Sequence, residues 1–156
     1  MEDHNKFMRL AIELANKSIM SGGGPFGAVI VCNGEVVGTG ANSVTNLNDP
    51  TAHAEIMAIR DASKKLERFD LNDCIIYTSC EPCPMCLGAV YWAKIKTLYY
   101  GNNRKDAAKA GFDDDFIYQE LNLDMDNRRL LMRQLLVNEA FENFKKWTNL
   151  PDKKEY

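Results

Sequence analysis

The sequence predicts an α/β domain in three layers, with a mixed central sheet of about five strands between helices. Three observations predict it: an early hairpin signal at Asn33-Gly34, strand-type segments that alternate with helix-type ones after it, and histidine and cysteine motifs placed where strands hand over to helices.

Phe7, Leu10, Ala11, Leu14 and Ala15 recur at helical spacing, and Gly22-Gly23-Gly24-Pro25 ends that first helix. Segments 28–32 and 35–39 read as strands, and the Asn33-Gly34 between them is what a type I′ turn requires. Residues 42–51 form a loop. Asp49-Pro50-Thr51 supplies turn and cap residues for a helix over 52–65, whose apolar side carries Ile56, Ile59, Ala62 and then Leu66. A strand over 74–78 follows, then a cysteine loop and a helix running to Ala93, then a strand over 97–100. Beyond Gly101, residues 104–110 predict a short helix and 111–116 a polar, turn-prone loop. The stretch 129–137 stays open between strand and helix, because its leucines sit in adjacent pairs that fit neither period. Phe141, Phe144 and Trp147 stand three apart in a helix over 139–147, with Pro151 beyond its end. With no internal repeat, low-complexity segment or linker, residues 1–156 read as a single domain.

At 156 residues, 46% hydrophobic and 26% charged, the chain can build one core, burying on the order of 70% of its unfolded surface. Residues 1–6 lack the basic start and apolar stretch of a signal peptide, and no apolar run approaches the roughly 18 residues of a membrane span, so a cytoplasmic protein with no membrane contact is expected. Five cysteines without a secretion signal argue for thiols and metal over a disulfide framework. A formal charge of −3 argues against nucleic-acid binding through a global basic field. The basic pairs Arg104-Lys105, Arg128-Arg129 and Lys145-Lys146 alternate with acids and read as solvated faces. His4 reads as an exposed terminal histidine.

Thr51-Ala52-His53-Ala54-Glu55 and Glu81-Pro82-Cys83-Pro84-Met85-Cys86 carry the chemistry. Cys83 and Cys86 lie three apart at a helix start, so both sulfurs reach one ion, and Pro84 suits the first helical position. The positive end of that helix favours thiolates. His53 at a second helix start adds an imidazole; one imidazole and two thiolates suit a zinc ion and leave its fourth tetrahedral position for water. Glu55, two residues from His53, is placed to take that water's proton without being a ligand. His-x-Glu with Pro-Cys-x-x-Cys is the signature of zinc deaminases.

With these motifs, Gly24-Pro25-Phe26-Gly27-Ala28-Val29, Asn42, Asp49-Pro50, Tyr77-Thr78-Ser79-Cys80, Ala110-Gly111-Phe112-Asp113-Asp114 and the closing Lys153-Lys154-Glu155-Tyr156 make the chain resemble the bacterial guanine deaminases of the cytidine/deoxycytidylate deaminase superfamily over nearly its whole length. The resemblance implies a three-layer α/β/α cytidine-deaminase-like fold and one Zn2+ per chain. It implies hydrolytic deamination of guanine to xanthine and ammonia, with attack at C2 and Glu55 moving protons to the ring nitrogen and then to the leaving amine. It also implies that Asn42 binds the base by its amide, that Phe26 stacks on the purine face and that Asp114 faces the substrate. Last, it implies a homodimer whose C-terminal segment crosses over so that Tyr156 covers the partner's site.

Each of these has a plainer reading: Asn42 a turn residue, Phe26 core, Asp113 to Asp115 a solvated loop, the tail a frayed end. Cys32 and Cys74 fall in apolar strands and read as core. Within the same fold, a guanosine, cytosine or tRNA-adenosine deaminase is the alternative; the basic pairs hold the last open, but the chain lacks the net basic balance and the Arg/Lys-rich C-terminal helix expected of one. Outside enzymology, Cys80 as a fourth ligand would close the zinc into a structural site, which leaves Glu55 without a task.

Overall fold

In the computed structural model, which describes residues 3–156, β1 (Gly27–Cys32) is buried at every position and therefore carries a packed layer on each face. It pairs antiparallel with β2 (Glu35–Ala41) across Asn33 and Gly34, whose φ values of 51° and 79° are those of the expected type I′ turn. On its other edge β1 pairs antiparallel with β3 (Cys74–Cys80), and β3 pairs parallel with β4 (Thr97–Asn102). The result is a mixed sheet in the order β2-β1-β3-β4.

One face is covered by α1 (His4–Met20), whose start is capped by the Asp3 carboxylate accepting from the Lys6 N–H. Its Phe7 and Ala11 pack with Val29, Val31 and Tyr77. The other face is covered by α3 (Ala54–Leu66) and α4 (Pro84–Trp92), whose Ala54, Ala58, Ala62 and Val90 join Ala28, Ile30, Cys32 and Ile76. Successive residues of β1 thus divide between two cores, as the two-residue period of a strand demands. A single turn, α2 (Val44–Leu47), interrupts the stretch expected as loop. After β4 come α5 (Arg104–Lys109), opened by an Asn103–Asp106 capping box, and α6 (Asp115–Leu121).

The chain divides into two units, Met1–Phe116 and Ile117–Tyr156. The second contains a 3-10 turn, Met125–Asn127, and α7 (Val137–Thr148). Within it, Arg128 donates to the carbonyl oxygens of Glu120, Leu121 and Leu123 and so satisfies a helix end; it is no plain solvated cation. Residues 129–136 form neither strand nor helix, so the sheet among the described residues has four strands where about five were expected. Leu130, Leu131, Leu135 and Leu136 are exposed: adjacent leucines on an extended chain face opposite ways, and no single face gathers them. The helix expected over 139–147 is α7, and its Phe141, Phe144 and Trp147 are exposed.

His4 is exposed yet occupied. Its Nδ1 lies 2.8 Å from the hydroxyl of the fully buried Tyr77, and its ring stands 4.6 Å from that of Tyr99. A terminal histidine thus gives a buried phenol a hydrogen-bond partner. Among the described residues no helix is long and apolar enough to cross a membrane.

The approach of α3 to β2 depends on glycine. A Cβ on Gly40 would stand 2.0 Å from the Ala54 carbonyl oxygen, and one on Gly38 2.5 Å from that of Ala58. Only without those carbons can the helix start that bears Ala54 and Glu55 lie this close to the sheet. Gly40→Ala should therefore cost about 1–3 kcal/mol through overpacking, read as a lower urea midpoint at unchanged slope. An unchanged midpoint would mean that α3 has slack against β2.

Candidate active site

Residue Gly27 at the start of β1 pairs with Ala41 at the end of β2, and Ala28 pairs with Thr78 near the end of β3. The segments leaving β2 and β3 therefore emerge at one end of the sheet, the first reaching the start of α3 by way of α2 and the second leading into α4. His53 is the N-cap of α3 and Cys83 the N-cap of α4. Asp49 makes its expected turn by accepting from the N–H and hydroxyl of Thr51, but the cap position belongs to His53, whose ring makes no capping bond. The imidazole is thereby left for other partners. Pro84 opens α4, and Cys83 Sγ accepts from the Cys86 N–H at 3.5 Å.

His53 Nδ1 lies 3.6 Å from Cys83 Sγ and 3.5 Å from Cys86 Sγ. One ring nitrogen cannot direct a single hydrogen at both sulfurs, whereas one cation can hold all three atoms. With zinc–sulfur and zinc–nitrogen bonds of about 2.3 and 2.0–2.1 Å, the nitrogen–sulfur edge of a tetrahedron is about 3.6 Å, so the donor set fits that ion. Protonation states agree with this. The hydrogen bond from Cys86 holds the Cys83 thiol down to about 4, with His53 assisting against burial. Cys86 is pushed up in turn by that bond and by burial, and Cys83 foremost pushes His53 up. Without a metal the cluster keeps protons that a divalent cation would replace.

Glu55, in the first turn of α3, is 7% exposed, and burial pushes its carboxyl up. Its Oε2 is 3.4 Å from Cys86 Sγ, beside the ligand cluster. A carboxyl whose charged form is disfavoured exchanges protons closer to neutral pH, as a general acid–base requires. Cys80 stands outside the converging group: its thiol donates to the Asn103 carbonyl at 3.9 Å, and burial pushes it up to about 11.

The residues expected to meet a substrate are distributed as follows. Asn42 is buried, and its Oδ1 accepts from the N–H groups of Gly24 and Val44, both at 3.3 Å. Phe26 packs against the core and meets Phe112 edge-on at 4.9 Å and 86°. Asp114 Oδ1 is, among the described residues, the buried side-chain oxygen that lacks a hydrogen-bond partner. Burial pushes the Asp114 carboxyl up, and the negative charge of Cys83 acts in the same direction. An orphaned oxygen of this kind is costly unless a ligand completes it. Tyr156 belongs to the second unit and is 73% exposed.

Two features escaped the sequence reading. Phe112 braces Phe26 from a segment that looked like polar loop. Arg104, read as part of a solvated face, ties the Asp114 segment to the cysteine loop: its Nε lies 3.0 Å from Glu81 Oε1, its N–H donates to Glu81 Oε2 at 3.0 Å, and its Nη1 lies 3.5 Å from Asp115. The available signal was the acid directly before Pro82-Cys83, which needed a cation.

Comparison with known proteins supplies the context for this geometry. Residues 1–102 match the family model of the cytidine and deoxycytidylate deaminase zinc-binding region. The guanine deaminase of Bacillus subtilis (strain 168) is 50% identical over 155 residues, which cover 99% of each chain. The X-ray structure of guanine deaminase from Bacillus subtilis superposes with a TM-score of 0.95 at 50% identity, again over 99% of each chain. A tRNA-specific adenosine deaminase of Buchnera aphidicola subsp. Schizaphis graminum is 39% identical over 106 residues, 68% of this chain and 70% of that one.

Proposed function

Because the chain belongs to the cytidine and deoxycytidylate deaminase family, we propose that it is a zinc-dependent guanine deaminase, hydrolysing guanine to xanthine and ammonia. One observation carries the choice of substrate: the guanine deaminase relative matches 99% of the chain, whereas the tRNA deaminase relative matches 68% of it.

His53, Cys83 and Cys86 are the residues that would hold the zinc, which when bound would make a water more acidic and so a better nucleophile. Glu55 is the proton carrier: it delivers one proton of the attacking water to the ring nitrogen and the other to the leaving amine, and its burial beside Cys86 keeps it in reach and disfavours its charged form. Asp114 Oδ1 accepts an N–H of the base, which completes the orphaned oxygen. Asn42 spends its Oδ1 on the Gly24 and Val44 backbone, so its Nδ2 hydrogens are the ones offered to the base. Phe26, braced by Phe112, supports the purine ring.

The active unit on this reading is a homodimer in which residues 1–156 form one deaminase domain with an exchanged C-terminal segment. The second unit leaves Phe141, Phe144, Trp147 and Leu150 exposed, a group of apolar side chains that needs cover. A swapped segment is a low-cost route to that cover, and it places Tyr156 over the partner's site, where a lid excludes water. Five free thiols suit a reducing, cytoplasmic setting.

The substrate reading is tested by ammonia release from guanine, guanosine, cytosine and tRNA. Guanine should be fastest, and Glu55→Gln should keep its zinc while losing roughly 10²–10⁴-fold in turnover. Faster reaction at an anticodon adenosine, falling steeply with salt, would select the tRNA reading.

For the tail, deleting residues 152–156 should leave zinc content unchanged while raising KM or lowering kcat strongly. Co-refolding that deletion with inactive Glu55→Gln chains should restore activity, because an intact Glu55 is then covered by the other chain's tail. Unaltered kinetics in the deletion would return Tyr156 to an ordinary chain end.

A further inference from the structure

A second cysteine cluster lies at the other end of the sheet, unused by deamination. Cys32 closes β1, Cys74 opens β3, and the two residues oppose each other directly in the antiparallel ladder. Their sulfurs converge with the Asp73 carboxylate, all within 4.8 Å of one another. Cys32 Sγ is 3.5 Å from Asp73 Oδ2 and Cys74 Sγ 3.5 Å from Asp73 Oδ1. The Arg68 guanidinium bonds Asp73 at 2.7 Å and stands 3.8 Å from Cys32 Sγ and 4.0 Å from Cys74 Sγ.

From this geometry we propose that Cys32 and Cys74 are a modification site, forming a reversible cross-strand disulfide by exchange with low-molecular-weight disulfides. Opposed residues in an antiparallel pair have Cα atoms about 4.5–5.5 Å apart, inside the roughly 4.4–6.8 Å that a disulfide spans. The bond therefore asks for side-chain rotation and no change of register. The Arg68 guanidinium stands beside both sulfurs. It also places a positive charge where a second metal ion would have to sit, which turns the cluster from cation binding toward thiol chemistry. Cys32 is 8% exposed, beside the hairpin turn, and Cys74 is 2% exposed. Burial, with the neighbouring Cys32, pushes Cys74 up to about 12, so Cys74 stays a thiol.

The order of steps follows. Cys32 gives up its proton and attacks one sulfur of the external disulfide, that S–S bond breaks, and the first small thiolate leaves. Cys74 then gives up its proton and attacks the Cys32 sulfur, and the second small thiolate leaves. Two protein thiols are oxidised and one external disulfide is reduced to two thiols. The bond ties β1 to β3 away from the zinc ligands and constrains the unfolded chain.

The test uses the zinc-loaded full chain, incubated with glutathione disulfide, alkylated under denaturing conditions and mapped by mass spectrometry without reduction. The expected result is a Cys32–Cys74 linked peptide pair, loss of two titratable thiols per chain, and reversal by dithiothreitol. Zinc and deaminase activity should be unchanged, and Tm should rise by roughly 5–15 °C, a rise absent in Cys32→Ser. Alkylation of both cysteines after the oxidant, or a glutathione adduct that persists on Cys32, would overturn the proposal. So would a second bound zinc or cadmium ion that is lost in Cys32→Ser and protects the pair from oxidation, which would make the cluster a metal site.

Discussion

Three candidate ligand atoms from two helix starts meet at one point, and the strands and helices of the first unit are arranged so that they do. His53 heads α3 and Cys83 heads α4, and both helices follow strands that finish at the same end of the sheet. Nδ1 stands within 3.5–3.6 Å of both sulfurs, and the hydrogen bond between the sulfurs drives one thiol down and the other up, so that without metal the pair keeps a proton. A shared divalent ion would displace that proton, and its binding energy would then become part of the energy holding strand ends and helix starts together.

Two carboxyls, those of Glu55 and Asp114, sit around this point at a cost that the packing offsets. Glu55 is buried in a first helical turn that reaches the sheet only because Gly38 and Gly40 lack a Cβ and Ala54, Ala58 and Ala62 are small. Asp114 carries an unsatisfied oxygen on a segment held by Arg104 and Glu81. Both carboxyls have their charged forms disfavoured by burial. Groups kept in so unfavourable a state are those for which a ligand or a proton transfer supplies the missing partner.

Local signals in the sequence carried most of this far. Asn33-Gly34 allows few turn types, and the spacing of Cys83 and Cys86 behind a proline can be read without knowing the tertiary structure. What stayed hidden depended on residues distant in sequence. His4 gains its role from Tyr77, Arg104 from Glu81, Phe112 from Phe26, and the Cys32 cluster from a strand pairing that no single segment encodes. The adjacent leucines of 129–137 failed for a different reason, because periodicity reports burial on one face and these residues are not buried on one.

X-ray absorption at the zinc edge of the purified protein addresses the open three-ligand centre most directly. The structure predicts two sulfur neighbours at about 2.3 Å with two nitrogen or oxygen neighbours at about 2.0–2.1 Å. Three sulfur neighbours with one nitrogen would mean that Cys80 closes the site, and that the zinc holds the fold together without a position for water.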